Sequence, residues 1–525
     1  MRAVPFQEAD RLGRRILAWI AVGLAAGGLA VAFRRALHGA YELILGSGSV
    51  FAGVSALPAW QCVLFPAAGC FLATVMVVVA RRGNQGVGGV MEAVSLARGR
   101  ISFRASIARA TACFTAVASG ASLGREGPII QVGAGTGDAI GRRLGMGEDD
   151  IRVLIAAGTA AGFAAAYGTP LAALLFVSEV VTGATSLRVL MPAALATVAS
   201  TALSRFFVGA APLYGAHDYG VSAAWDLVLF AFLGLAGGVA GVGFMTVLDL
   251  VRRGFEKIPL PGPLRAALGG GLAGAVAIGL PGVAGNGYEA VHQVLEVGGP
   301  VFVLLLLAVG KTGATACTVG GGSPGGVFTP ALFLGAVLGR LLGSGFAEIG
   351  ASAPAGAYAL VGMAALCAAT THAPLMAAVM VFELSGDYGL ALPLLAAAMI
   401  ATAIARRLRH NSLYTEELRR RGVAWSEAPA RVTSPAPELI TTDKLPPGFV
   451  LRLVAAPRWM HDRPITDVQS HPGLPAVVAV RRDGSQWLDA HGSLIVLPGD
   501  ELLAAGRPEA VALIDRFEPG KPGPD

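Results

Sequence analysis

The stretch SLGREGPIIQ, residues 122–131, places Arg125 and Glu126 side by side. The run ATACFTAVASGA precedes it and VGAGTGDAIG follows it, so its neighbours are mostly small and weakly polar. A charged side chain at membrane depth is costly and is a functional hypothesis by default. The interpretation of this stretch therefore depends first on whether its surroundings are lipid.

The composition indicates that they are. Of the 525 residues, 54% are hydrophobic and 14% are charged, and the mean hydropathy is +0.63. A soluble domain carries about 25% charged residues. The basic residues collect at segment ends, as in Arg406-Arg407, which is typical of cytoplasmic flanks. We therefore expect a multi-pass protein of the cell (inner) membrane with a cytoplasmic C-terminal domain, and we do not interpret the net charge of +6 as nucleic-acid binding.

An internal repeat relates two parts of the chain. The matches at an offset of 202 (326 − 124) are Gly124 with Gly326, Pro128 with Pro330, and Arg109 with Lys311. The matches at an offset of 204 (362 − 158) are Gly158 with Gly362, Pro170 with Pro374, and Glu179 with Glu383. Apolar segments interrupted by Gly and Pro at corresponding places in two halves are typical of transporters with a site near the midplane.

Both GREGP (124–128) and GGVFTP (325–330) have the character of a helix that starts inside the membrane. Glycine allows close backbone approach, and proline in the first turn removes no hydrogen bond. The first N–H groups of such a helix lack an intrahelical partner and carry partial positive charge, so they attract an anion. Two facing helix starts predict a dehydrated anion site between the halves.

Glu126 has a natural role beside such a site. Its carboxylate can occupy the anion position itself, and protonation would remove the charge and release it. The alternative is that Glu126 only pairs with Arg125. Neighbouring residues near a helix start need not face each other, so the sequence favours a gating role for Glu126.

The motifs GREGP and GGVFTP and the tyrosine of HNSLYTEEL, in that order, resemble those of the CLC family of chloride channels and proton-coupled chloride transporters. The resemblance runs from about residue 17 to residue 418. It implies an all-α polytopic membrane domain built as an inverted repeat of broken helices. It also implies a homodimer in which each subunit has its own anion pathway, and no cofactor.

The resemblance assigns roles to individual residues. Glu126 stands at the position of the gating, proton-exchanging glutamate. Val327 and Phe328 match the residues whose backbone N–H groups hold the central anion, and Tyr414 matches the tyrosine whose hydroxyl reaches it. The remaining residues expected at the anion site, mainly through the backbone of the two helix starts, are Gly124, Arg125, Gly127 and Gly326. We expect Arg125 to support the local field rather than to contact the ion through its side chain.

Two positions depart from the family pattern. Gln85, in RGNQGVGG, stands where the family commonly has a serine that tunes chloride against nitrate. A glutamine amide can donate to an anion, but the preferred anion is left open. Val180 stands where proton-coupled members often carry an inner glutamate, which favours a channel or a weakly coupled transporter. Glu179, its neighbour, is interpreted as a structural partner of cytoplasmic basic residues.

The sequence predicts a membrane domain over residues 1–425, with repeat halves at about 15–205 and 225–405. A linker at 426–446 leads to a small α+β domain at 447–517 and a disordered tail at 518–525. The segment AVVAVRRDGSQWLDAHGSLIVLPGDELLAAG resembles a TrkA-C type regulatory module. That resemblance implies cytosolic sensing of a small ligand, and a purely structural dimerisation role is the alternative.

The further alternatives differ in the anion, the coupling or the class of protein. A fully proton-coupled antiporter remains open, as does transport of nitrate or fluoride, although Phe328 and Tyr414 argue against fluoride. An enzyme is not predicted, because His, Ser and Cys residues form no convergent motif. A receptor whose membrane part only anchors the C-terminal module would leave the duplicated helix starts without a purpose.

Overall fold

The computed structural model describes residues 6–80, 86–95, 100–215, 219, 223–423, 425, 449–465, 475–482, 486–490 and 494–514. Gln85, the predicted linker and the predicted tail lie outside these residues. The chain divides into two compact units, Met1–Ala428 and Pro429–Asp525.

The first unit is helical throughout its described part. The helices of its first half are α1 (Phe6–Leu45), α2 (Val50–Ala56), α3 (Ala59–Val79), α4 (Val87–Ser95), α5 (Phe103–Ala118), α6 (Glu126–Arg143), α7 (Glu148–Tyr167), α8 (Pro170–Phe176) with a π-helical turn (Val177–Thr182), and α9 (Leu187–Val208). Those of its second half are α10 (Ala224–Glu256), α11 (Gly262–Gly279), α12 (Tyr288–Glu296), α13 (Val301–Gly320), α14 (Phe328–Ala347), α15 (Ala355–Thr371), α16 (Pro374–Ser385), α17 (Ala391–Leu408) and α18 (Leu413–Arg420).

The two halves pack in the same way. Helix α6 lies on α7 as α14 lies on α15, α1 lies on α9 as α10 lies on α17, and α3 lies on α5 as α11 lies on α13. Glycines permit the closest crossings: a Cβ on Gly133 would strike the carbonyl oxygen of Gly158, and a Cβ on Gly335 would strike that of Gly362. The repeat found in the sequence is thus a repeat of structure.

Many of the helices suit a bilayer. Within the described part of the chain, eight helices are long and apolar enough to cross a membrane. Others are short, as α4, α8 and α12 are, so the unit contains broken helices as well as complete spans. This architecture confirms the predicted all-α membrane fold.

The second unit contains a small sheet and a short helix. Its strands are β1 (Val450–Ala455), β2 (Ala476–Arg482), β3 (Gln486–Asp489) and β4 (Glu501–Gly506), followed by α19 (Pro508–Leu513). The sheet is antiparallel in the order β1-β4-β2-β3, and its register shifts between Val477 and Ala479. The core contains apolar side chains from the strands and from α19, including Val480, Leu502 and Val511. An α+β unit therefore follows the membrane domain, as the sequence predicts.

Candidate functional site

The starts of α6 and α14 meet through their preceding glycines. The N–H of Gly124 donates to the carbonyl of Gly326 at 2.7 Å, and the N–H of Gly326 donates to the carbonyl of Gly124 at 2.8 Å. The two residues form an isolated antiparallel bridge. This exchange joins the two halves of the repeat where both helix N-termini begin.

The Glu126 side chain lies between these helix starts. It is 2% exposed. Its carboxylate accepts hydrogen bonds from the Thr329 N–H, at 2.9 Å, and from the Thr329 hydroxyl, at 2.8 Å. A carboxylate therefore occupies the N-terminal end of α14, where the backbone and the helix dipole favour an anion. Among the described residues, Arg125 is not an ion-pair partner of Glu126, so the simple pairing alternative is not what the structure shows.

Thr329 is a functional residue that the sequence reasoning missed. The Tyr167 hydroxyl lies 3.2 Å from the Thr329 hydroxyl. Because Thr329 gives its proton to Glu126, it accepts from Tyr167 in this chain of hydrogen bonds. The available signal was a hydroxyl residue next to Phe328 in an otherwise apolar helix start.

Glycine is required beside the Glu126 carboxylate. A Cβ on Gly124 would overlap that carboxylate, and a Cβ on Gly326 would come within 2.9 Å of its Oε1. The GREGP and GGVFTP motifs therefore leave room for an anionic group as well as for close backbone approach. Gly127, by contrast, has open space around its Cβ direction.

Aromatic side chains surround the same region. Phe328 is buried and packs against Phe163 and Tyr167, with ring centroids 5.9 and 5.7 Å apart. Tyr414, on α18, packs edge-on against Phe176 at 5.9 Å and lies within electrostatic reach of Glu126. Val327 precedes α14 directly as its N-cap residue. The structure thus brings Val327, Phe328 and Tyr414 to the region of Glu126.

Arg125 points into a cavity of about 450 Å³. Its guanidinium lies over the Tyr288 ring at 5.0 Å, and its Nε is buried without a hydrogen-bond partner among the described residues. Arg34 lines the same cavity. The carboxylate in the cavity wall, Glu289, is already committed, because it accepts hydrogen bonds from Ser49 and from backbone N–H groups at the start of α2. The cavity therefore favours anions.

Two basic residues occupy equivalent places in the halves. Lys311, on α13, is fully buried and donates to the carbonyls of Val283 and Gly285, both at 2.9 Å. Arg109, on α5, has a buried Nε with no hydrogen-bond partner in the described part of the chain. Lys311 acts electrostatically on Glu126, and Arg109 acts on Glu417.

Three further residues that the sequence singled out are Gln85, Val180 and Glu179. Gln85 lies outside the described residues. Val180 is 5% exposed and lies in the π-helical turn after α8. Glu179 does not use a basic side chain as its hydrogen-bond partner: it accepts from the backbone N–H groups of Leu375 and Met376. The expected basic partner, Arg406, acts on Glu179 electrostatically, whereas the hydrogen bonds come from the start of α16.

The described residues contain no group of His, Cys, Asp and Glu side chains that could hold a metal ion. What they do assemble is a pair of helix N-termini, a buried carboxylate and nearby hydroxyl groups. Such a set binds an anion by hydrogen bonds and dipoles, and it can exchange one proton at the carboxylate.

Comparisons with known proteins agree with this arrangement. The model of the voltage-gated chloride channel family matches residues 68–406. A ClcB-like chloride channel protein of Ralstonia nicotianae is 38% identical over 405 residues, which cover 75% of this chain and 94% of that protein. The voltage-gated ClC-type chloride channel ClcB of Escherichia coli O9:H4 is 33% identical over 415 residues, or 77% and 98% of the two chains.

A solved structure shows the same fold. The crystal structure of a slow cyanobacterial Cl⁻/H⁺ antiporter superposes with a TM-score of 0.71 at 25% sequence identity. The match covers 78% of this chain and 98% of that one.

Proposed function

The chain belongs to the voltage-gated chloride channel family, and from that premise we propose that it moves chloride through the region between the starts of α6 and α14, with Glu126 as the gate. Membership of this family makes it a multi-pass membrane protein of anion transport and not an enzyme. The observation that carries the gating proposal is the Glu126 carboxylate, held by the N–H and hydroxyl of Thr329 at the N-terminus of α14.

The geometry supports a competition between Glu126 and the transported anion. A carboxylate and chloride both satisfy the N–H groups and partial positive charge of a helix start. When Glu126 takes a proton it loses its charge, so its hold on Thr329 weakens and an anion can take its place. The cavity beside Arg125 and Arg34 concentrates anions next to this gate. Val327, Phe328 and Tyr414 provide the remaining contacts of the pathway, together with Gln85.

We propose that the transport is channel-like or only weakly coupled to protons. Val180 supports this, because a valine at the inner proton position cannot bind a proton. The second candidate is a fully coupled chloride/proton antiporter, which the description of the cyanobacterial relative favours. Nitrate or fluoride as the anion is the further alternative, since Gln85 alters the position that tunes selectivity.

The proposal also covers the oligomeric state of the protein and the role of its second unit. The chain acts as a homodimer in the inner membrane with its C-terminal unit in the cytoplasm. That unit is a TrkA-C-like module that senses a small cytosolic ligand or supports dimerisation. Its support is the antiparallel sheet with a terminal helix, in which Arg482 of the RRDG segment pairs with Asp500 of the PGDELLAAG segment at 2.6 Å.

The deciding experiment records chloride efflux and external pH together in chloride-loaded vesicles. The wild-type protein should release chloride in a pH-dependent way with little linked proton uptake. Glu126→Gln should remove the part of the pH dependence of chloride flux that comes from Glu126. Uphill proton uptake by the wild type would establish the antiporter instead. Complete loss of chloride flux in a correctly folded Glu126→Gln dimer would overturn the gating role. If the wild-type protein moves no chloride, the same efflux assay is repeated with nitrate and with fluoride.

A further inference from the structure

A second carboxylate, that of Glu417, lies next to the proposed pathway. Glu417 is on α18, three residues after Tyr414, so the two side chains lie on the same side of that helix. Helix α18 packs against α4. The Glu417 side chain is 30% exposed, so it contacts both solvent and protein.

The Glu417 carboxylate lies against the first turn of α4. A Cβ on Gly86 would come within 2.8 Å of Glu417 Oε1, and a Cβ on Gly88 would come within 3.2 Å of its carboxyl carbon. The first N–H groups of α4 have no intrahelical acceptor, and the helix dipole makes this end positive. Glu417 therefore lies at the N-terminus of a short helix, beside glycines that leave room for it, and among the described residues its hydrogen-bond donor is Arg421.

The surrounding charges keep Glu417 near this helix start. Arg421, one turn further along, pairs with it at 2.5 Å. From α5, Arg109 attracts it electrostatically, and the Arg109 Nε is buried with no hydrogen-bond partner among the described residues. Tyr414 is the other titratable neighbour on α18, and α15, which also packs against α18, brings Cys367 near Tyr414. The Glu417 carboxylate is thus attracted by Arg421, by Arg109 and by the positive end of α4.

We propose that Glu417 is a second gating carboxylate, which blocks the α4 end of the anion pathway when charged and leaves it when protonated. The inference rests on the proposed function and extends it. Glu417 takes a proton from the solution on its own side, becomes neutral and gives way to the transported anion. On losing the proton it returns to the start of α4. Because Val180 offers no proton-binding group, Glu417 supplies a titratable group on this side of the site.

The competing explanation is that Glu417 only forms an ion pair with Arg421. Two variants of the full-length protein separate the explanations, with chloride efflux measured as the pH on each side of the vesicle is varied separately. Glu417→Gln should raise efflux at neutral pH several-fold and abolish its dependence on pH at the α18 side. Arg421→Gln keeps the carboxylate and should therefore keep that pH dependence. Identical behaviour of the two variants would overturn the proposal in favour of the ion pair.

Two further variants separate a loss of the second gate from a failure to fold or a failure of the proposed function. Glu417→Asp retains a carboxylate on a side chain that is one methylene shorter. Chloride efflux through this variant should be higher at neutral pH and should still depend on pH. If the Glu417→Gln protein does not assemble, a pH profile of Glu417→Asp that matches the wild type overturns the proposal. Glu126→Gln is recorded in parallel. Absence of any anion flux in the wild type would refute the proposed function itself. Flux that responds to Glu126→Gln while Glu417→Gln matches the wild type would refute only the second gate.

Discussion

Glu179 and Glu383 each cap the helix that carries the other. The Glu179 carboxylate accepts the N–H groups of Leu375, at 3.2 Å, and Met376, at 2.7 Å, at the start of α16. Glu383, within α16, has an equivalent relation to the start of α8, the helix that leads into the turn containing Glu179. Both carboxylates are thus structural links between the halves, each satisfying two N–H groups that a helix leaves without a partner.

This relationship predicts equal losses of stability. Glu179→Gln and Glu383→Gln should each lower the free energy of unfolding by about 1–2 kcal/mol, as for other lost helix caps. Thermal inactivation of the purified protein in detergent measures the loss. The pH dependence of anion flux should stay at the wild-type level in both variants. A changed pH profile in Glu179→Gln alone would show that Glu179 takes part in transport.

The hold of Thr329 on Glu126 should control how often the gate opens. Thr329→Val keeps the shape of the side chain but removes the hydroxyl that donates to the carboxylate. A hydrogen bond to a charged group contributes about 1.5–3 kcal/mol, so chloride efflux at neutral pH should rise about tenfold or more.

Thr318→Val is the matched control for this substitution. Thr318 is also buried, on α13, and its hydroxyl donates only to the carbonyl of Ala314 in its own helix, at 2.7 Å. Its efflux should remain at the wild-type level. If both valine variants gave the same flux, the Thr329 hydroxyl would have no part in closing the pathway.

A methyl group added at Gly326 tests the position of the Glu126 carboxylate by steric displacement. In Gly326→Ala the new methyl group would lie about 2.9 Å from Glu126 Oε1, closer than nonbonded carbon and oxygen atoms normally approach. The carboxylate must move away, so we expect higher flux at neutral pH and a weaker dependence on pH. Gly313→Ala, on α13, adds its methyl group in open space and should behave as the wild type. Lower flux with an unchanged pH profile in Gly326→Ala would mean that the methyl group obstructs the anion instead.

The stability of the second unit should depend on the ion pair between Arg482 and the buried Asp500 carboxylate. The Asp500 side chain is 1% exposed and accepts from Arg482, at 2.6 and 2.7 Å, and from the N–H of Leu497, at 2.8 Å. Asp500→Asn leaves the half-buried Arg482 guanidinium group without its counter-charge and weakens hydrogen bonds to a charged group, which contribute about 1.5–3 kcal/mol. Limited proteolysis of the full-length protein, followed by mass spectrometry, should therefore show new cleavage sites within residues 449–514.

Glu501→Gln is the control for this unit, because Glu501 and Arg481 form a surface pair that contributes little. The hydrogen bond from Arg481 lowers the pKa of Glu501. The small contribution of the pair is therefore present at neutral pH and is lost as the pH falls through the folded-state pKa. Protease resistance of Glu501→Gln at neutral pH should match the wild type, and equal sensitivity of both variants would argue against a special role for the Asp500 pair.

Much of the fold was accessible from the sequence because it is duplicated. Matched glycines and prolines at fixed offsets mark the helix starts and the close crossings, and they do so without any knowledge of long-range contacts. The starts of α6 and α14 were expected at GREGP and GGVFTP for that reason, and the helices begin at Glu126 and Phe328. The family resemblance then supplied Tyr414, which local pattern alone would have assigned to a helix end at the membrane surface.

Contacts between segments that are distant in the chain could not be predicted from the sequence. Glu417 belongs to a charged run that is typical of a cytoplasmic flank, and its contact with Gly86 joins residues 331 positions apart (417 − 86). Thr329 was missed because threonine hydroxyls in apolar helices usually bond to their own backbone. Only the fold shows that the Thr329 hydroxyl meets a carboxylate from the other half of the chain.

The hydrogen bonds between Gly124 and Gly326 can form only late in the synthesis of the chain. The two glycines are 202 residues apart (326 − 124), so the first half is made and inserted before the second supplies its partner groups. Until then the N–H and carbonyl of Gly124 lack these partners in a medium that offers few others. The bridge that joins the two helix starts is therefore completed only after the second half has been inserted.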